Sequence, residues 1–314
     1  GVTCIYISHK LNEVKEIADN ITVLRDGQTI STTVNDDSMT EDKIISLMVG
    51  RELTQRFPRK EHKPSEPMLE VENLTVYNPE MPDKKIIDNI SFTAKKGEIL
   101  GIAGLMGAGR TELAMSLFGS YGVGKTGTVK IQGKKETINS PRTAIRKGLC
   151  YLSEDRKVNG LVLGMDIKEN TTLANLHKIS RHGVINQNEE IKITNEYVKA
   201  LKTKTPSIEQ KVSNLSGGNQ QKVVLAKWLM ADPKILILDE PTRGIDVGAK
   251  YEIYNIMNDL VDKGVSIIMI SSELPEILGM SDRILIMHEG KLTGELDYKD
   301  ASQEIVMQYA TGGM

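Results

Sequence analysis

Two stretches of the chain carry the same alternation of apolar and polar positions. Residues 1–30 and 264–293 align without a gap. In each copy an apolar run precedes a polar loop, an amphipathic helix pattern follows, and two further apolar runs flank a glycine turn. The pattern therefore predicts an internal repeat in the order strand, helix, strand, strand. Identical positions include Ile5, Ile7, Ser8, Leu11, Glu13, Asp19, Ile21 and Gly27.

The second copy closes a long domain, whereas nothing precedes the first copy, which starts at Gly1 without an initiating Met. We therefore expect residues 1–50 to be the C-terminal remnant of a first domain. Residues 51–67 are charged, contain three prolines and have few side chains that could pack, which predicts a linker. A complete second domain is then expected over residues 68–314.

The second domain alternates between strand and helix patterns. MLEVENLTV and IIDNISFTAKKGEILGIAG predict three strands, and the strand pattern returns in KILILDE. Residues 156–231 have helical periodicity and no strong strand signal, which predicts a helical subdomain. The expected fold class is α/β.

Composition narrows the function classes. The 314 residues are 39% hydrophobic and 26% charged, which is ordinary for globular protein. A net charge of -2 disfavours nucleic-acid binding. No apolar run approaches the roughly 20 residues of a spanning helix, so a partner would have to cross any membrane. Cys4 and Cys150 lie in apolar, strand-like runs and are expected to be reduced core residues.

A glycine-rich segment follows one predicted strand and opens a helix pattern. Residues 104–111, called the P-loop below, read GLMGAGRT. Glycines in this context let backbone N–H groups converge on phosphate oxygens, and a helix N-terminus adds partial positive charge. The lysine usual in such loops is replaced by Arg110, whose planar guanidinium does not reproduce a compact ammonium. We expect nucleotide binding rather than fast turnover; a glycine turn without a ligand is the alternative.

Two carboxylates end the run KILILDE. We expect Asp239 and the Thr111 hydroxyl to hold Mg²⁺, and Glu240 to polarise an attacking water. An acidic pair on the surface after a core strand is the alternative interpretation.

A second glycine segment precedes the helix pattern VVLAKWLM. Residues 216–218, called the signature segment below, read SGG and would expose a hydroxyl and bare N–H groups at a helix start. Taken alone, this sequence is only a good helix N-cap.

Taken together, GLMGAGRTEL, LSGGNQQKV and LILDEPTRGIDVGAK resemble the second ATP-binding cassette of the sugar-importing ABC transporters. The resemblance covers essentially the whole chain. It implies a P-loop NTPase fold of the ABC ATPase type, with an antiparallel β subdomain and a helical subdomain, that uses ATP and Mg²⁺. In that family two cassettes of one polypeptide close face to face, with each ATP between the P-loop of one and the signature of the other.

The resemblance also implies residue roles. Tyr77 corresponds to the adenine-stacking aromatic, although packing on the core is an alternative. Glu154 stands where most cassettes have the Q-loop glutamine and would face the transport subunit, with a solvated charge cluster as the alternative. Asp246 is the D-loop aspartate. His9 occupies the position of the γ-phosphate histidine in the first copy, and Ser272 replaces it in the second. The nucleotide-binding set comprises Gly104, Gly107, Ala108, Gly109, Arg110, Thr111, Ser216, Gly217 and Gly218.

This cassette departs from the family pattern at Arg110, Glu154 and Ser272. The departures imply that its own P-loop site is degenerate, while its intact signature serves the other site. The implied function is the ATP-binding subunit of a monosaccharide importer, peripheral at the cytoplasmic face of the membrane. Its implied partners are the permease subunits, indirectly a sugar-binding protein, and the first cassette. This chain alone is expected to be weakly active or inactive.

Other functions remain open at this stage. A nucleotide-dependent clamp without hydrolysis is the main alternative. A non-transport ABC protein of translation or DNA repair would need a basic surface or a coiled-coil insertion, and a P-loop kinase would leave LSGGNQQ without a role. The segment NPEMPDKKII favours xylose as the sugar, with galactose, a methyl galactoside or ribose still open.

Overall fold

The computed structural model describes residues 1–8, 11–25, 28–49 and 57–313. Its strands are β1 (Asn20–Arg25), β2 (Gln28–Val34), β3 (Pro67–Tyr77), β4 (Lys85–Lys95), β5 (Ile99–Gly104), β6 (Val123–Ile131), β7 (Lys134–Glu136), β8 (Leu149–Leu152), β9 (Ser180–Arg181), β10 (Val184–Ile185), β11 (Ile235–Asp239), β12 (Ser266–Ile270), β13 (Arg283–His288) and β14 (Lys291–Asp297). Its α-helices are α1 (Leu11–Ile17), α2 (Glu41–Val49), α3 (Arg110–Phe118), α4 (Pro141–Arg146), α5 (Ile167–Thr172), α6 (Gln187–Ala200), α7 (Gly217–Met230), α8 (Val247–Asp262), α9 (Leu274–Met280) and α10 (Gln303–Ala310).

A six-stranded sheet in the order β14-β13-β5-β12-β11-β8 forms the centre of the fold. Its neighbouring strands are parallel except at the β13–β14 edge. Every residue of β11 and β12 is buried, which agrees with their continuous apolar sequences because interior parallel strands are covered on both faces. The expected α/β class is confirmed.

A separate four-stranded antiparallel sheet has the order β4-β3-β6-β7. Buried and exposed positions alternate along much of β4, as expected when one face of a sheet covers a core. This sheet is the antiparallel β subdomain that the sequence resemblance implied.

The segment of residues 156–231 is mainly helical, as its periodicity predicted. It contains a π-helical turn at Arg156–Gly160, α5, a 3-10 segment at Leu173–Lys178, α6 and α7. The periodicity did not predict the short β9–β10 hairpin, whose turn residues His182 and Gly183 have φ of 51° and 81°.

The first strand predicted for residues 1–30 is wrong. Residues 1–8 have no regular structure, and Val2, Ile5 and Ile7 are 90%, 90% and 91% exposed. The matching strand of the second copy, β12, lies between β11 and β5, whereas the described part of the chain provides no such neighbours for residues 1–8. The same difference corrects the expectation for the cysteines, because Cys4 is exposed and only Cys150 is buried.

The remainder of the first copy folds as predicted into α1, β1 and β2, and α2 follows. Its core is separate from the main core and consists of Leu11, Ile21, Val23, Met39, Ile44 and Ile45. Val247 of α8 packs against this small core, so the N-terminal unit contacts the second domain at the start of α8.

Residues 57–62, called the strap below, pack against α8 and α9 although the linker was expected to have few packing side chains. The Phe57 and Tyr254 rings lie 5.5 Å apart, and Asn258 Nδ2 donates to Pro58 O at 2.6 Å. Arg59 donates to the carbonyls of Leu278 at 3.0 Å and Ser281 at 2.7 Å. These contacts anchor the second half of the segment that separates the two units.

The strap ends at a buried histidine. The His62 side chain is 2% exposed, and its Nδ1 lies 3.0 Å from Asp282 Oδ2. The same Asp282 oxygen accepts from the Ile99 N–H at 2.8 Å, at the start of β5.

No described helix is both long and apolar enough to cross a bilayer.

Candidate functional site

The P-loop connects the end of β5 to the start of α3, as its sequence predicted. Gly104, Gly107 and Gly109 have φ of 157°, 82° and 94°. A Cβ at Gly104 would lie 2.6 Å from Met287 O, and one at Gly109 would lie 3.2 Å from Ile86 O. Gly104 and Gly109 are therefore required by close backbone packing as well as by conformation, whereas Gly107 is required by conformation alone.

The two-residue turn between β13 and β14 supports the P-loop. The Gly290 N–H donates to Ala108 O at 2.9 Å, and Gly290 O accepts from the Asp88 N–H at 2.8 Å. A Cβ at Gly290 would lie 2.3 Å from Ile86 O. The sequence predicted this glycine turn between two apolar runs but did not indicate that Gly290 contacts the P-loop.

Asp239 ends β11 and is fully buried. Burial raises its pKa, while the nearby Thr111 hydroxyl, the Tyr151 hydroxyl and the Arg110 charge lower it. Tyr151 donates to Asp239 Oδ2 at 2.9 Å. Asp239 Oδ1 is buried and has no hydrogen-bond partner among the described residues. A carboxylate oxygen beside a threonine hydroxyl fits Mg²⁺, which prefers oxygen ligands.

Tyr151 was not identified as a site residue from the sequence. It lies in the buried strand β8, whose last residue, Leu152, directly precedes SEDRK, and a tyrosine hydroxyl usually finds a partner when buried. Its pKa is raised, chiefly by burial and also by the Asp239 charge, so the hydroxyl remains a donor.

Glu240 follows β11 in a left-handed conformation with φ of 49°. Its N–H donates to Ile270 O at 2.9 Å, and Ser272 Oγ donates to its Oε2 at 3.2 Å. Burial raises the Glu240 pKa, while the Ser272 hydrogen bond and the Arg110 charge lower it. A non-glycine residue at positive φ is uncommon and indicates a tightly determined local structure.

Arg110 spans the gap between the P-loop and the end of β12. Its Nη1 donates to Ser271 O at 2.7 Å. The structure therefore brings together Arg110, Asp239, Glu240 and Ser272, which the sequence placed in one site. His9, the histidine position of the first copy, lies outside the described residues.

Glu154 and its neighbour Arg156 contact the loop that follows Glu240. Glu154 forms an ion pair with Arg243. Arg156 donates to Arg243 O at 2.7 Å and to Gly244 O at 3.2 Å. The segment SEDRK is therefore partly engaged within the chain, and its expected contact with a transport subunit stays a prediction.

The signature segment begins α7. Ser216 occupies the N-cap position, but its side chain makes no capping bond and accepts instead from Asn219 Nδ2 at 3.0 Å. Asp246 caps the neighbouring helix α8 by accepting from the Ala249 N–H at 2.9 Å. A cavity of about 470 Å³ adjoins both helix starts, and its lining includes Ser216, Gly218, Asn219, Lys222, Asp246, Leu24 and Met48.

This cavity has no P-loop residue in its lining. Leu24 and Met48 come from the N-terminal unit, so the signature segment faces that unit rather than the P-loop of its own domain. Gly217 is partly buried, and a Cβ there would lie 2.8 Å from Arg156 Nη2 and 3.0 Å from Gly244 O.

Tyr77 ends β3 beside the P-loop. It pairs with Lys85, and the next residue of β4, Ile86, approaches Gly109. A Cβ at Gly124 would lie 3.0 Å from the Tyr77 ring. The ring therefore packs over Gly124, and adenine stacking by Tyr77 stays a prediction.

The comparison with known families decides the assignment. A model of the ABC transporter family matches residues 87–243, from β4 to the loop after Glu240. The chain belongs to the ABC transporter family. Within that family, the fold described above is the ABC ATPase cassette.

Relatives of this ABC chain include three ATP-binding proteins that are named for the import or transport of a sugar. It is 66% identical over 313 residues to the xylose import ATP-binding protein XylG of Thermoanaerobacter pseudethanolicus, covering 100% of this chain and 62% of the relative. It is 55% identical to the L-arabinose transport ATP-binding protein AraG of Geobacillus stearothermophilus, covering 99% and 61%. It is 52% identical to the ribose import ATP-binding protein RbsA of Caldanaerobacter subterraneus, covering 100% and 62%. The chain thus spans less than two thirds of their length.

Solved ABC cassettes share the fold. The cassette MJ1267 has a TM-score of 0.67 at 22% identity and covers 78% of this chain and 99% of its own. A dimeric post-hydrolysis state of the cassette MJ0796 bound to ADP and Pi has a TM-score of 0.63 at 21% identity, covering 74% and 99%.

Proposed function

We propose that this chain is part of the ATP-binding subunit of a monosaccharide-importing ABC transporter. The observation that carries the proposal is the convergence of Arg110, Asp239, Glu240 and Ser272 beside the P-loop in an ABC cassette. Xylose is the favoured sugar because several similar relatives are named for its import, and other relatives are named for arabinose and ribose. Galactose or a methyl galactoside rests on the sequence resemblance alone.

The partners follow from this proposal. Permease subunits cross the membrane, a sugar-binding protein acts through them, and the first cassette of the same polypeptide closes on this one. The chain then works at the cytoplasmic face of the membrane and uses ATP and Mg²⁺. Nucleic acid is not a partner.

Asp239 and Thr111 would hold Mg²⁺, which supplies charge neutralisation at the phosphates. The P-loop N–H groups bind phosphate oxygens. Glu240 orients water, and its raised pKa makes it a better proton acceptor once it is ionised. Glu240 is held for this role by Ser272.

We further propose that this P-loop site binds ATP and turns it over slowly. Arg110 is engaged with Ser271 O, and Ser272 is too short to reach as far as an imidazole would. The signature segment faces away from its own P-loop and is therefore available to the other site. The family resemblance assigns His9 to that same site. The two cassettes would divide binding from hydrolysis.

A clamp without hydrolysis is the second candidate. It is favoured by the same Arg110–Ser271 hydrogen bond, because a guanidinium fixed on a backbone carbonyl joins two loops without contributing to phosphate transfer.

The test is a phosphate-release assay with Mg-ATP beside a nucleotide-binding titration. The variants are wild type, Glu240→Gln and the double variant Arg110→Lys/Ser272→His. We expect the wild type to bind ATP with little release. The double variant should release phosphate at least about tenfold faster, since general base and phosphate contacts each contribute that much or more.

Glu240→Gln in the double-variant background is the matched control and should abolish the gain. Fast release by the wild type that Glu240→Gln abolishes would overturn the division of labour. Absence of nucleotide binding in every variant would overturn the proposed site.

A further inference from the structure

A buried carboxylate on α9 joins two loops of the site. Glu276 is 1% exposed. Its Oε1 accepts from Thr242 Oγ1 at 2.5 Å and from Tyr254 OH at 2.7 Å. Hydrogen bonds to an ionised acceptor are short and strong, so this cluster is a tight junction between three segments.

The three segments lead to the site residues. Thr242 lies two residues after Glu240, and α9 begins two residues after Ser272. Tyr254 lies on α8, whose N-cap is Asp246. Glu276 therefore holds together the backbone on both sides of the Glu240–Ser272 hydrogen bond.

Packing alone does not explain a glutamate here. Burying a carboxylate is costly unless its oxygens are hydrogen-bonded, and Oε2 has no partner within the described ranges. The Tyr254 pKa is raised by burial and by the Glu276 charge, so its hydroxyl stays a donor. The same position of the repeat is also a glutamate, Glu13, which accepts from Tyr6 OH at 2.6 Å.

We propose that Glu276 is a positioning residue that sets the separation of Glu240 and Ser272 and thereby the affinity of the P-loop site for Mg-ATP. This proposal rests on the proposed function of that site. Its essential feature is the acceptor oxygen, Oε1, which fixes the two hydroxyl donors.

Three substitutions distinguish the effect of the Glu276 acceptor oxygen from the effect of its side-chain volume. Glu276→Gln keeps an acceptor oxygen for both hydroxyls, Glu276→Leu keeps volume but no acceptor, and Thr242→Val removes one donor. The matched control is Glu190→Leu, because Glu190 is also buried, 6% exposed, and accepts from Thr172 Oγ1 at 2.8 Å in the helical subdomain.

The first readout is amide hydrogen exchange without nucleotide. Glu276→Leu should speed exchange at the Glu240, Arg243 and Glu273 amides by about tenfold or more, which is the response of a local opening. Thr242→Val should do so more weakly, and Glu276→Gln should stay within about twofold of wild type. Glu190→Leu should leave these amides unchanged.

The second readout is the dissociation constant of Mg-ATP, measured in wild-type and Ser272→Ala backgrounds. Glu276→Leu should weaken binding about fivefold in the wild type and less in Ser272→Ala, since residues acting through one contact are not additive. Rescue by Glu276→Gln is expected in both readouts.

Unchanged exchange at the Glu240 and Glu273 amides in Glu276→Leu would overturn the proposal, as would an equal effect of Glu190→Leu. If Glu276→Leu does not fold, the same criteria apply to Thr242→Val. If the wild type binds no Mg-ATP, the exchange result still decides the positioning role, and only the proposed function fails.

Discussion

At the scale of single residues, the site depends on carboxylates held in a poorly solvated place. Asp239 and Glu240 both have raised pKa values because burial disfavours the charged form. When they are ionised, such buried carboxylates lower the free energy of unfolding relative to exposed carboxylates. The site therefore reduces stability in return for function.

This cost predicts a pH dependence. The Asp239 pKa is raised in the folded chain, so between its ordinary and raised values the folded state holds more protons than the unfolded state. Its contribution to the free energy of unfolding then falls as the pH rises above about 4. Asp239→Asn lacks this titration. The stability of wild type relative to Asp239→Asn should therefore fall from pH 4 to pH 8.

Urea unfolding across this pH range, without Mg²⁺ or nucleotide, measures the difference. Asp262→Asn is the control, because the Lys60 hydrogen bond lowers the pKa of exposed Asp262. Its stabilising contribution is fully present above about pH 4 and is lost only as the pH falls through the lowered pKa, so the stability of wild type relative to Asp262→Asn should stay nearly constant from pH 4 to pH 8. A wild-type advantage over Asp239→Asn that grows with pH would contradict the burial argument.

At this scale, a motif can indicate both a residue and the residues that lie near it. Arg110, Asp239, Glu240 and Ser272 were placed in one site, and the structure brings them together. Tyr151 and Glu276 were missed because a buried hydroxyl or carboxylate reveals its role only through its partners. Those partners are distant in the chain: Tyr151 and Asp239 are 88 residues apart.

At the scale of elements, turns of the same type have unequal surroundings. Glu289–Gly290 and Gln132–Gly133 are both two-residue hairpin turns with positive φ, at 46° and 76° and at 52° and 71°. Gly290 contacts the β4 backbone and the P-loop, whereas nothing lies within 4 Å of a Cβ at Gly133.

Alanine at the two turns should separate conformational strain from crowding. Gly133→Ala should cost about 1–2 kcal/mol of unfolding free energy for the left-handed conformation. Gly290→Ala should cost roughly 1–3 kcal/mol more, because its Cβ must displace the backbone. Only Gly290→Ala should weaken nucleotide binding, since it moves Ala108. Equal losses in urea unfolding would refute this difference.

Elements with a complete set of neighbours were predicted well. The sequences of β3, β4, β5 and β11 led to strands in the structure, and the sequence after the P-loop led to α3. Residues 1–8 did not, because a strand is stabilised by the strands beside it and not by its own apolar pattern. The β9–β10 hairpin was not predicted for a different reason, because its two residues per strand are too few for a periodic signal.

At the scale of the whole molecule, the strap follows the N-terminal unit in the chain and packs against α8 and α9 of the second domain. Besides its two carbonyl contacts, the Arg59 guanidinium lies 3.4 Å from the centre of the Tyr298 ring. The charge and prolines of residues 51–67 predicted a linker. They did not indicate that Arg59 would donate to the carbonyls at the end of α9. The domain boundaries themselves stay predictions.

Removing the Arg59 side chain should release the strap. Arg59→Ala should cost about 2–3 kcal/mol of unfolding free energy, from charged hydrogen bonds and the ring contact. It should also make residues 57–62 sensitive to trypsin at Lys60. Lys60→Ala is the neighbouring control and should change stability much less, because its ion pairs with Asp259 and Asp262 are exposed.

Limited proteolysis and urea unfolding test both variants. For protease sensitivity, Arg59→Lys is the better comparison, since it keeps a cleavable positive charge but cannot donate to both carbonyls in the same geometry. Equal losses of stability in Arg59→Ala and Lys60→Ala would contradict a specific anchoring role.

The two cysteines have a practical consequence for labelling the protein. Cys150 is buried in β8, and burial raises its pKa to about 12, so its thiol is protected from modification. Cys4 is exposed. A maleimide fluorophore should therefore attach at one position without any engineered substitution. This chain thus provides a single position for an optical reporter near its first residue, at which changes in the surroundings of residues 1–8 can be followed in real time.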